Sequence, residues 1–426
     1  PTADGTRRRV FFPHEVATRT TRWERGDDPM TRVTYTGGHD RYGQPGSVTE
    51  IACPRGWGPG DATDEYLVTH REKTRARPDD DADHYLVDRA ATETGYAVSP
   101  VADRTLAGML SAVRSGTADR TVTSHVRHYY DGDPFEGLDL GTVGERGALV
   151  RTERLALTER RVREAYPGGT DPPDTTGKPP CLATDRSDWP ADYPEPFAEH
   201  AAPTRDPGRA DGATGVGAGY LYRDGQGGSI PGYYAVTTRR RYDFQTPGTS
   251  DRGLVLAERD PLGNETTRQY DDYGLFPTRV EDPTGVERSV TYDYRAWKPR
   301  TVTDANGNRR RNAYTPLGLV AWSANLGRQG ERVGDTPDQP TRRFEYDLAA
   351  FARSDGETPA YVHATERVEH RWDVVAAENE RRAATGEGVL TDAEVEALFE
   401  DELAADPERF VQSRAYSDGF GRVVQS

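Results

Sequence analysis

One turn signal stands three times in the chain, as Asp260-Pro261-Leu262-Gly263, Asp282-Pro283-Thr284-Gly285 and Asp304-Ala305-Asn306-Gly307. Its aspartates are 22 residues apart, and so are Tyr270, Tyr292 and Tyr314. Each unit reads as a turn, a short polar and aromatic strand, a Tyr-Asp pair or its equivalent, and a second short strand. A fixed period of this length indicates an array in which every unit completes the sheet of its neighbour.

The glycines of this signal are Gly263, Gly285 and Gly307. They stand where a tight turn needs a residue that tolerates positive φ, and the aspartate and proline before them favour the same turn. We therefore interpret Asp260, Asp282 and Asp304 as structural turn residues. The alternative, that they are the paired carboxylates of a glycosidase, explains less, because all three precede a turn glycine at the same offset.

Side chains alternate between the two faces of a strand, so the residues at 266, 268 and 270 point the same way. Superimposing the units by 22 residues then aligns Tyr270, Tyr292 and Tyr314 on one face. We expect these tyrosines to stack as a ladder across adjacent strands, with each pair contributing about 0.2–1 kcal/mol. Other aligned positions, such as Arg288 and Arg310, are mostly polar. One face of the sheet is therefore predicted to face solvent or a large water-filled space.

The composition favours a thin, extended β-structure over a thick globular core. Of the 426 residues 34% are hydrophobic and 30% are charged, yet 22 Tyr, 11 Phe and 6 Trp are too many for a solvated tail. The net charge of −16 argues against nucleic acid or an anionic membrane surface as a partner. No run of 18 apolar residues is present, so membrane insertion is not predicted. The excess of Asp over Lys fits a high-salt habitat or a GC-rich genome equally well.

The chain is predicted to be mainly β, with short helical insertions, and to fall into four segments. Residues 1–166 read as a β-rich segment with one or two helices, and 167–218 as a Pro-, Gly- and Asp-rich loop. Residues 219–345 hold the array of 22-residue units. Residues 346–426 hold further strands with a helical insertion at about 373–406.

Several elements can be placed within these segments. Apolar spacing predicts helices at 102–115 and, loosely, within 144–166. A hairpin is predicted across the turn-forming residues 40–46, and a second strand pair at 65–73 and 84–93. Thr391-Asp392-Ala393-Glu394 fits a capping box that starts a helix running to about Ala405.

No residue pattern predicts a catalytic, cofactor-binding or metal-binding site. His125 and His128 are three residues apart, which in a strand puts their rings on opposite faces. Cys53 and Cys181 are single and far apart, so neither a disulfide framework nor a cysteine metal site is expected. The acidic loop 78–83 lacks the spaced ligands of an EF-hand, and 215–219 reads as a linker rather than a phosphate loop. The chain is therefore predicted to need no cofactor and not to be an enzyme.

Longer motifs carry a resemblance to a known family. They are the stretches 259–267, 270–275, 292–295, 303–309, 316–320, 343–351 and 416–422. In this order, and with a long helical insertion, they resemble Rhs or YD-repeat proteins, and among these the B component of bacterial toxin complexes (Tc toxins). The resemblance is strong over about 219–325, good at 341–372 and 415–425, and fainter over 8–200.

This resemblance implies that the repeat strands form part of a large curved, spiral β-sheet shell, which encloses an unfolded toxic polypeptide. It implies a C component that completes the shell and carries that polypeptide. It also implies a channel-forming A component, reached through a propeller that is absent from this chain. The chain would then be a non-catalytic wall segment for delivery through the translocon. The complex would be assembled in the cytoplasm and secreted, although no signal is visible in this sequence.

Two other functions stay open on the sequence. YD-repeat shells also occur in adhesion proteins, so a cell-surface adhesion or recognition module is the alternative. A carbohydrate-active enzyme is a third class, and it requires a concave site with matched carboxylates.

Overall fold

The computed structural model describes residues 13–23, 26, 28–78, 84–165, 220–223, 225–400, 402–418 and 422–425. The predicted loop 167–218 lies outside this part of the chain, as do the acidic residues 79–83, Cys181 and the glycine-rich stretch 215–219. The described part holds twenty strands and six α-helices, so the prediction of a mainly β chain with short helices is confirmed. The chain divides into two units, one up to Glu265 and one from Thr266 onward.

The first unit is an antiparallel sheet. Its strands are β1 (Ala17–Arg22), β2 (Met30–Gly37), β3 (Ser47–Ala52), β4 (Leu67–Arg75), β5 (Ala90–Val98), β6 (Arg120–Tyr130), β7 (Leu149–Thr158), β8 (Tyr220–Arg223), β9 (Gly232–Tyr242) and β10 (Val255–Arg259). Strands β1 to β7 pair in chain order, and β9 pairs with β7, β8 and β10. Both predicted hairpins are therefore present, although β5 begins only at Ala90.

Helix α1 (Leu106–Ser115) packs on one face of this sheet. The hydroxyl of Thr105 accepts a hydrogen bond from the Gly108 N–H at 3.0 Å, and Gly116 ends the helix with φ of 73°. The helix predicted at 102–115 is therefore confirmed, with its start at Leu106 because Thr105 is the cap. Its inward residues complete a core made of Ile51, Cys53, Trp57, Tyr66, Val68, Val98, Met109, Val113 and Ala118.

The helix expected within 144–166 is a strand over most of its length. Strand β7 pairs with β6 on one side and β9 on the other, and only α2 (Glu159–Ala165) is helical. Leu149 and Leu155 fit a helical stripe by spacing alone. Two partner strands satisfy the backbone of β7, and this outweighs the local pattern.

The second unit is an antiparallel meander. Its strands are β11 (Glu265–Tyr270), β12 (Pro277–Glu281), β13 (Glu287–Asp293), β14 (Lys298–Thr303), β15 (Arg309–Tyr314), β16 (Val320–Leu326), β17 (Arg342–Asp347), β18 (Ala360–Arg367), β19 (Phe410–Ser417) and β20 (Val423–Gln425). Each of these strands pairs with the next one in the chain. A short helix, α3 (Ala350–Arg353), lies between β17 and β18.

Three helices stand between β18 and β19: α4 (Arg371–Thr385), α5 (Asp392–Leu398) and α6 (Glu402–Ala405). The predicted capping box is confirmed, since the Thr391 N–H donates to Oε2 of Glu394 at 2.7 Å and the Glu394 N–H donates to Oγ1 of Thr391 at 3.3 Å. The predicted single helix to Ala405 is wrong. It ends at Leu398, because the buried ring of Phe399 packs into a cluster with Val374, Val375 and Val395.

Candidate functional site: the repeat strands of the second unit

The aspartate of each repeat binds the backbone of its own turn. Oδ1 of Asp282 accepts hydrogen bonds from the N–H groups of Thr284 at 2.9 Å and Val286 at 3.0 Å, and from the Thr284 hydroxyl at 2.7 Å. The Gly285 N–H closes the turn on the Asp282 carbonyl at 3.0 Å, and Gly285 has φ of 80°. Asp304 makes the same contacts with the N–H groups of Asn306 and Asn308.

The third copy of the turn, which belongs to the first unit, has the same geometry. Asp260 accepts from the N–H groups of Leu262 and Asn264 at 2.9 Å, and Gly263 has φ of 90°. The hairpin between β2 and β3 uses the arrangement again, because Asp40 accepts from the N–H groups of Tyr42 and Gln44 at 2.9 Å. The same Asx turn thus occurs outside the 22-residue period.

These hydrogen bonds lower the pKa of two turn carboxylates, those of Asp282 and Asp304. The Thr284 hydroxyl, followed by the Val286 N–H, holds the pKa of Asp282 below its usual 3.8. For Asp304 the partial burial works in the opposite direction, but the side chain and N–H of Asn308 lower its pKa below the same value. An acceptor that is already occupied by its own turn is poorly suited to proton transfer at neutral pH.

Two of the repeat tyrosines, Tyr292 and Tyr314, fasten their strands to the preceding ones. The hydroxyl of Tyr292 on β13 donates to the carbonyl of Pro277, the first residue of β12, at 2.8 Å. The hydroxyl of Tyr314 on β15 donates to the carbonyl of Pro299 on β14 at 2.6 Å. Tyr346, which is outside the period, makes the corresponding bond to Val320 on β16 at 3.0 Å, and its Tyr-Asp pair was the signal for it in the sequence.

The predicted ladder of stacked tyrosines is wrong. Tyr270, Tyr292 and Tyr314 lie on β11, β13 and β15, which are separated by β12 and β14. Two strand spacings put their rings about 9–10 Å apart, which exceeds the range of ring contacts. Tyr292 stacks on Phe276 instead, at 4.4 Å between ring centroids with an interplanar angle of 14°.

Both faces of the repeat strands remain partly in solvent. In β11 to β15, Tyr314 is the one buried residue. Cross-strand polar pairs cover the rest of the sheet, such as Arg279 with Glu287 at 2.7 Å and, further along, Arg342 with Glu366 at 2.7 Å. The repeat strands are therefore held together by turns, tyrosines and ion pairs, without a thick apolar layer.

The turns that follow Tyr270 and Tyr292 form one end of these strands, and they carry exposed aromatic side chains. Tyr273 is 60% exposed and Trp297 is 63% exposed. Tyr273 packs edge-on against Tyr294 at 5.2 Å, and Trp297 packs edge-on against Phe276 at 5.7 Å. The hydroxyl of Tyr294 donates to Asp271 at 2.7 Å, and this hydrogen bond raises the pKa of Tyr294 to about 12. We name Tyr273, Phe276, Tyr294 and Trp297 the aromatic edge.

Other polar clusters of the chain are buried and internally paired. In the first unit Glu153 is fully buried, 3.2 Å from Arg127, 2.5 Å from Arg223 and 3.5 Å from Arg151. In the second unit Asp335 accepts from the Arg371 N–H at 2.8 Å and contacts Nδ1 of His370 at 2.7 Å. No group of three or more His, Cys, Asp and Glu among the described residues is placed to hold a metal ion.

The two histidines singled out in the sequence face different strands. Nδ1 of His125 contacts the Thr94 hydroxyl on β5 at 2.8 Å, whereas Nδ1 of His128 contacts the Thr152 hydroxyl on β7 at 3.3 Å. The structure therefore does not bring the two rings together. Cys53 is a free, buried thiol in the core under α1, and burial raises its pKa.

Comparison with known proteins identifies the fold. No family model matches the chain, and no curated protein matches it. Among solved structures, a chain of the Photorhabdus luminescens Tc holotoxin pore is similar, with a TM-score of 0.55 and 15% sequence identity. The similarity covers 96% of this chain and 20% of that chain, so this chain spans about a fifth of its length. In the described part, no helix is long and apolar enough to cross a membrane. The chain has a fold that also occurs in a Tc holotoxin.

Proposed function

We propose that this chain is a wall segment of an Rhs-type β-shell that encloses an unfolded toxin polypeptide within a Tc complex. The observation that carries the proposal is the repeat sheet of the second unit, which leaves both faces partly solvated and uses no thick core. The fold shared with a Tc holotoxin chain and the ordered YD motifs support it. Its role is then mechanical, to separate an interior from the surrounding medium.

The hydrogen bonds of the repeat suit such a wall. A sheet without a covering layer cannot rely on apolar burial, which supplies most of the stability of ordinary domains. Here each repeat turn is closed by its own aspartate, and β13, β15 and β17 are each fastened to the preceding strand by a tyrosine. Adding further units of the same kind extends the wall without changing its local interactions.

The partners follow from the same proposal. A C component completes the shell and supplies the enclosed polypeptide, and an A component forms the channel. The A component is contacted by a propeller outside this chain, and the complex acts outside the producing cell. Nucleic acid is not a partner, because the net charge of −16 repels phosphate.

The proposed function includes no catalysis. The carboxylates that a glycosidase would need, Asp260, Asp282 and Asp304, each accept hydrogen bonds within their own turn. A cavity of about 980 Å³ between β1, β2 and α1 has Arg19 and Arg114 as its charged lining residues, which does not provide the acid pair of such an enzyme.

The test is to co-express the complete gene with its genomic neighbours and to digest the purified product with protease. We expect a complex that contains a C-terminal polypeptide protected from digestion. The double variant Tyr292→Phe with Tyr314→Phe, which loosens the wall, should admit protease faster, whereas Tyr273→Phe at an exposed ring should not. A product without any protected polypeptide would contradict the proposal.

The aromatic edge favours a second candidate function, an adhesion or recognition module. Exposed aromatic rings beside carboxylates are a common surface for ligands and partner proteins. Glycan-array and cell-binding measurements with the chain and with its Trp297→Ala variant test this candidate. Binding that disappears in the variant would favour it, and equal signals from both proteins would remove it.

A further inference from the structure

Three threonine–histidine pairs connect neighbouring strands of the first unit. They are Thr49 with His70, Thr94 with His125, and Thr152 with His128. In each pair the two residues are directly opposite each other in the strand register. The distances from Oγ1 of the threonine to Nδ1 of the histidine are 2.9, 2.8 and 3.3 Å, respectively. The pairs thus connect β3 with β4, β5 with β6, and β6 with β7.

Two of these rings are deeply buried. His125 is 1% exposed and His70 is 5% exposed, whereas His128 is half-buried. Nε2 of His125 is buried and has no hydrogen-bond partner within the described part of the chain. The protonated ring carries a hydrogen on both nitrogens, so it has an N–H at this atom with no acceptor, and it adds a charge to a site that is closed to water. Both changes are costly in a protein interior.

The charged groups around His125 do not remove this cost. Arg127, on β6 with His125, opposes the charged ring, and Glu153 on β7 favours it. Glu153 is, however, already paired with three arginines. From β9, the ring that faces His125 is Tyr234, at 5.8 Å between centroids. Burial, followed by Arg127, lowers the pKa of His125 to about 4.

The other two rings have mixed charged surroundings. For His70 these are Glu72 on β4 at 3.2 Å, Arg120 on β6 and Tyr96 on β5, and Arg114 of α1 lines the adjoining cavity. For His128 they are Glu93 on β5, Lys73 on β4 and Arg154 on β7. Burial is the main cause that lowers the pKa of both rings.

We propose that the first unit is an acid-sensitive segment, in which protonation of His70, His125 and His128 weakens the sheet from β3 to β7. The property belongs to this sheet and does not depend on the proposed function. Two buried imidazoles and one half-buried imidazole would give such a device to a chain that must hold its structure at neutral pH and loosen it in a mildly acidic compartment. The repeat strands β11 to β16 of the second unit contain no histidine and should not respond.

Proton linkage gives the direction in which stability changes with pH. A histidine of ordinary pKa 6.5 in the unfolded chain and lower pKa in the fold stabilises the fold fully above pH 6.5. That stabilisation decreases as the pH falls below 6.5, and for His125 the decrease continues down to about pH 4. For His125 the difference between a pKa of 6.5 in the unfolded chain and about 4 in the fold can change the folding equilibrium constant by a factor of at most about 300.

Hydrogen exchange of the whole 426-residue chain at pH 7.5 and pH 5.0, corrected for intrinsic exchange rates, tests the proposal. We expect protection in β3 to β7 to fall at least about tenfold at pH 5.0, and protection in β11 to β16 to stay within about twofold. NMR titration of the imidazole signals of the same chain should show His125 still neutral at pH 5.5. Titration of His125 near pH 6.5 with unchanged protection would overturn the proposal.

Variants separate a pH-dependent role from a merely structural one. His125→Gln and His128→Gln should each reduce the difference in protection between the two pH values, whatever their effect at pH 7.5. His363→Gln, on β18 of the second unit, is the matched control and should leave the difference unchanged. If His125→Gln does not fold, the NMR titration and the hydrogen exchange of the wild-type chain still test the proposal. A pH response that persists in full in both variants contradicts the proposal.

Discussion

The hydroxyl of Tyr314 donates a 2.6 Å hydrogen bond to the carbonyl oxygen of Pro299, one strand back in the sheet. Tyr292 and Tyr346 repeat this relationship with Pro277 and Val320. A hydrogen bond to a backbone carbonyl near the start of a strand fixes where that strand begins. This bond, rather than stacking between tyrosines, is the structural role of Tyr292, Tyr314 and Tyr346.

Replacing Tyr292 by Phe removes one of these bonds without changing the ring that stacks on Phe276. We expect a loss of about 0.5–1.5 kcal/mol in the free energy of unfolding, the usual value of a partly buried hydrogen bond. Urea denaturation followed by circular dichroism measures it. The control is Tyr273→Phe, whose ring is 60% exposed and which should leave the unfolding midpoint unchanged. Equal midpoints for Tyr292→Phe and the wild type would show that the bond contributes nothing.

The turn glycine of the second repeat can be tested for backbone strain alone. Gly285 has φ of 80°, and a Cβ added there would meet no atom within 4 Å. Gly285→Ala should therefore destabilise the chain by about 1 kcal/mol through the left-handed backbone conformation, with no steric clash. Gly388→Ala is the matched control, since its Cβ also meets nothing and its φ is not positive. A thermal melt in which both variants unfold at the same temperature would refute the role given to Gly285.

Glu153 neutralises a buried group of arginines in the first unit. Its carboxylate is fully buried and also accepts a hydrogen bond from the Tyr129 hydroxyl at 3.1 Å. Glu153→Gln leaves Arg127, Arg151 and Arg223 close together without their shared counter-charge, which should cost about 3–5 kcal/mol. Denaturant unfolding measures the loss.

The control for this substitution is Glu145→Gln, at a side chain that is 81% exposed. It should change the free energy of unfolding by less than about 0.5 kcal/mol. Similar values for the two variants would mean that the buried cluster tolerates unpaired charge.

The contacts of Asp243 predict a loss of stability in strong acid that is separate from the effect of the histidines. Its buried carboxylate accepts from the N–H groups of Arg252 at 2.9 Å and of Gly253 and Leu254 at 3.0 Å. Burial by itself would raise the pKa of Asp243, but these donors and the Ser250 hydroxyl hold it below 3.8. The stabilisation is therefore complete above pH 3.8 and is lost as the pH falls further.

Asp243→Asn should lower stability at pH 7 by about 1–3 kcal/mol, because the amide replaces one of the two acceptor oxygens with an NH2 group, which can only donate. The variant should also lose less stability than the wild type between pH 4 and pH 2.5, which thermal unfolding at several pH values measures. This window lies below the histidine range, so the two acid effects are distinguishable. An unchanged acid dependence would show that Asp243 does not contribute to it.

Local sequence was sufficient to predict the features that depend on a few adjacent residues. Gly285 could be placed in a left-handed turn because no other residue adopts that conformation as easily, and Thr391 with Glu394 could be placed at a helix start because both capping bonds lie within four residues. The mainly β class followed from composition and short alternating runs. Resemblance in the ordered YD motifs pointed to bacterial toxin complexes, and the comparison shows a fold that also occurs in a Tc holotoxin chain.

Non-local relationships could not be obtained in this way. Tyr292 and Tyr314 align by period, yet strand β14 lies between their strands. Their hydroxyls bond instead to prolines of the preceding strands, Pro277 on β12 and Pro299 on β14. Leu149 and Leu155 read as one face of a helix until two partner strands are known.

The turns, the strand-forming character and the period can thus be predicted from short stretches of the chain, because each depends on a few adjacent residues. Which strands are neighbours emerges only from the folded chain. The tyrosine anchors, the arginines around Glu153 and the threonine partners of His70, His125 and His128 all depend on that arrangement. Apart from the pair of Arg151 with Glu153, those contacts join residues that are from 15 to 70 positions apart. Their register is set by the whole sheet, because a shift by one residue would turn every side chain to the other face.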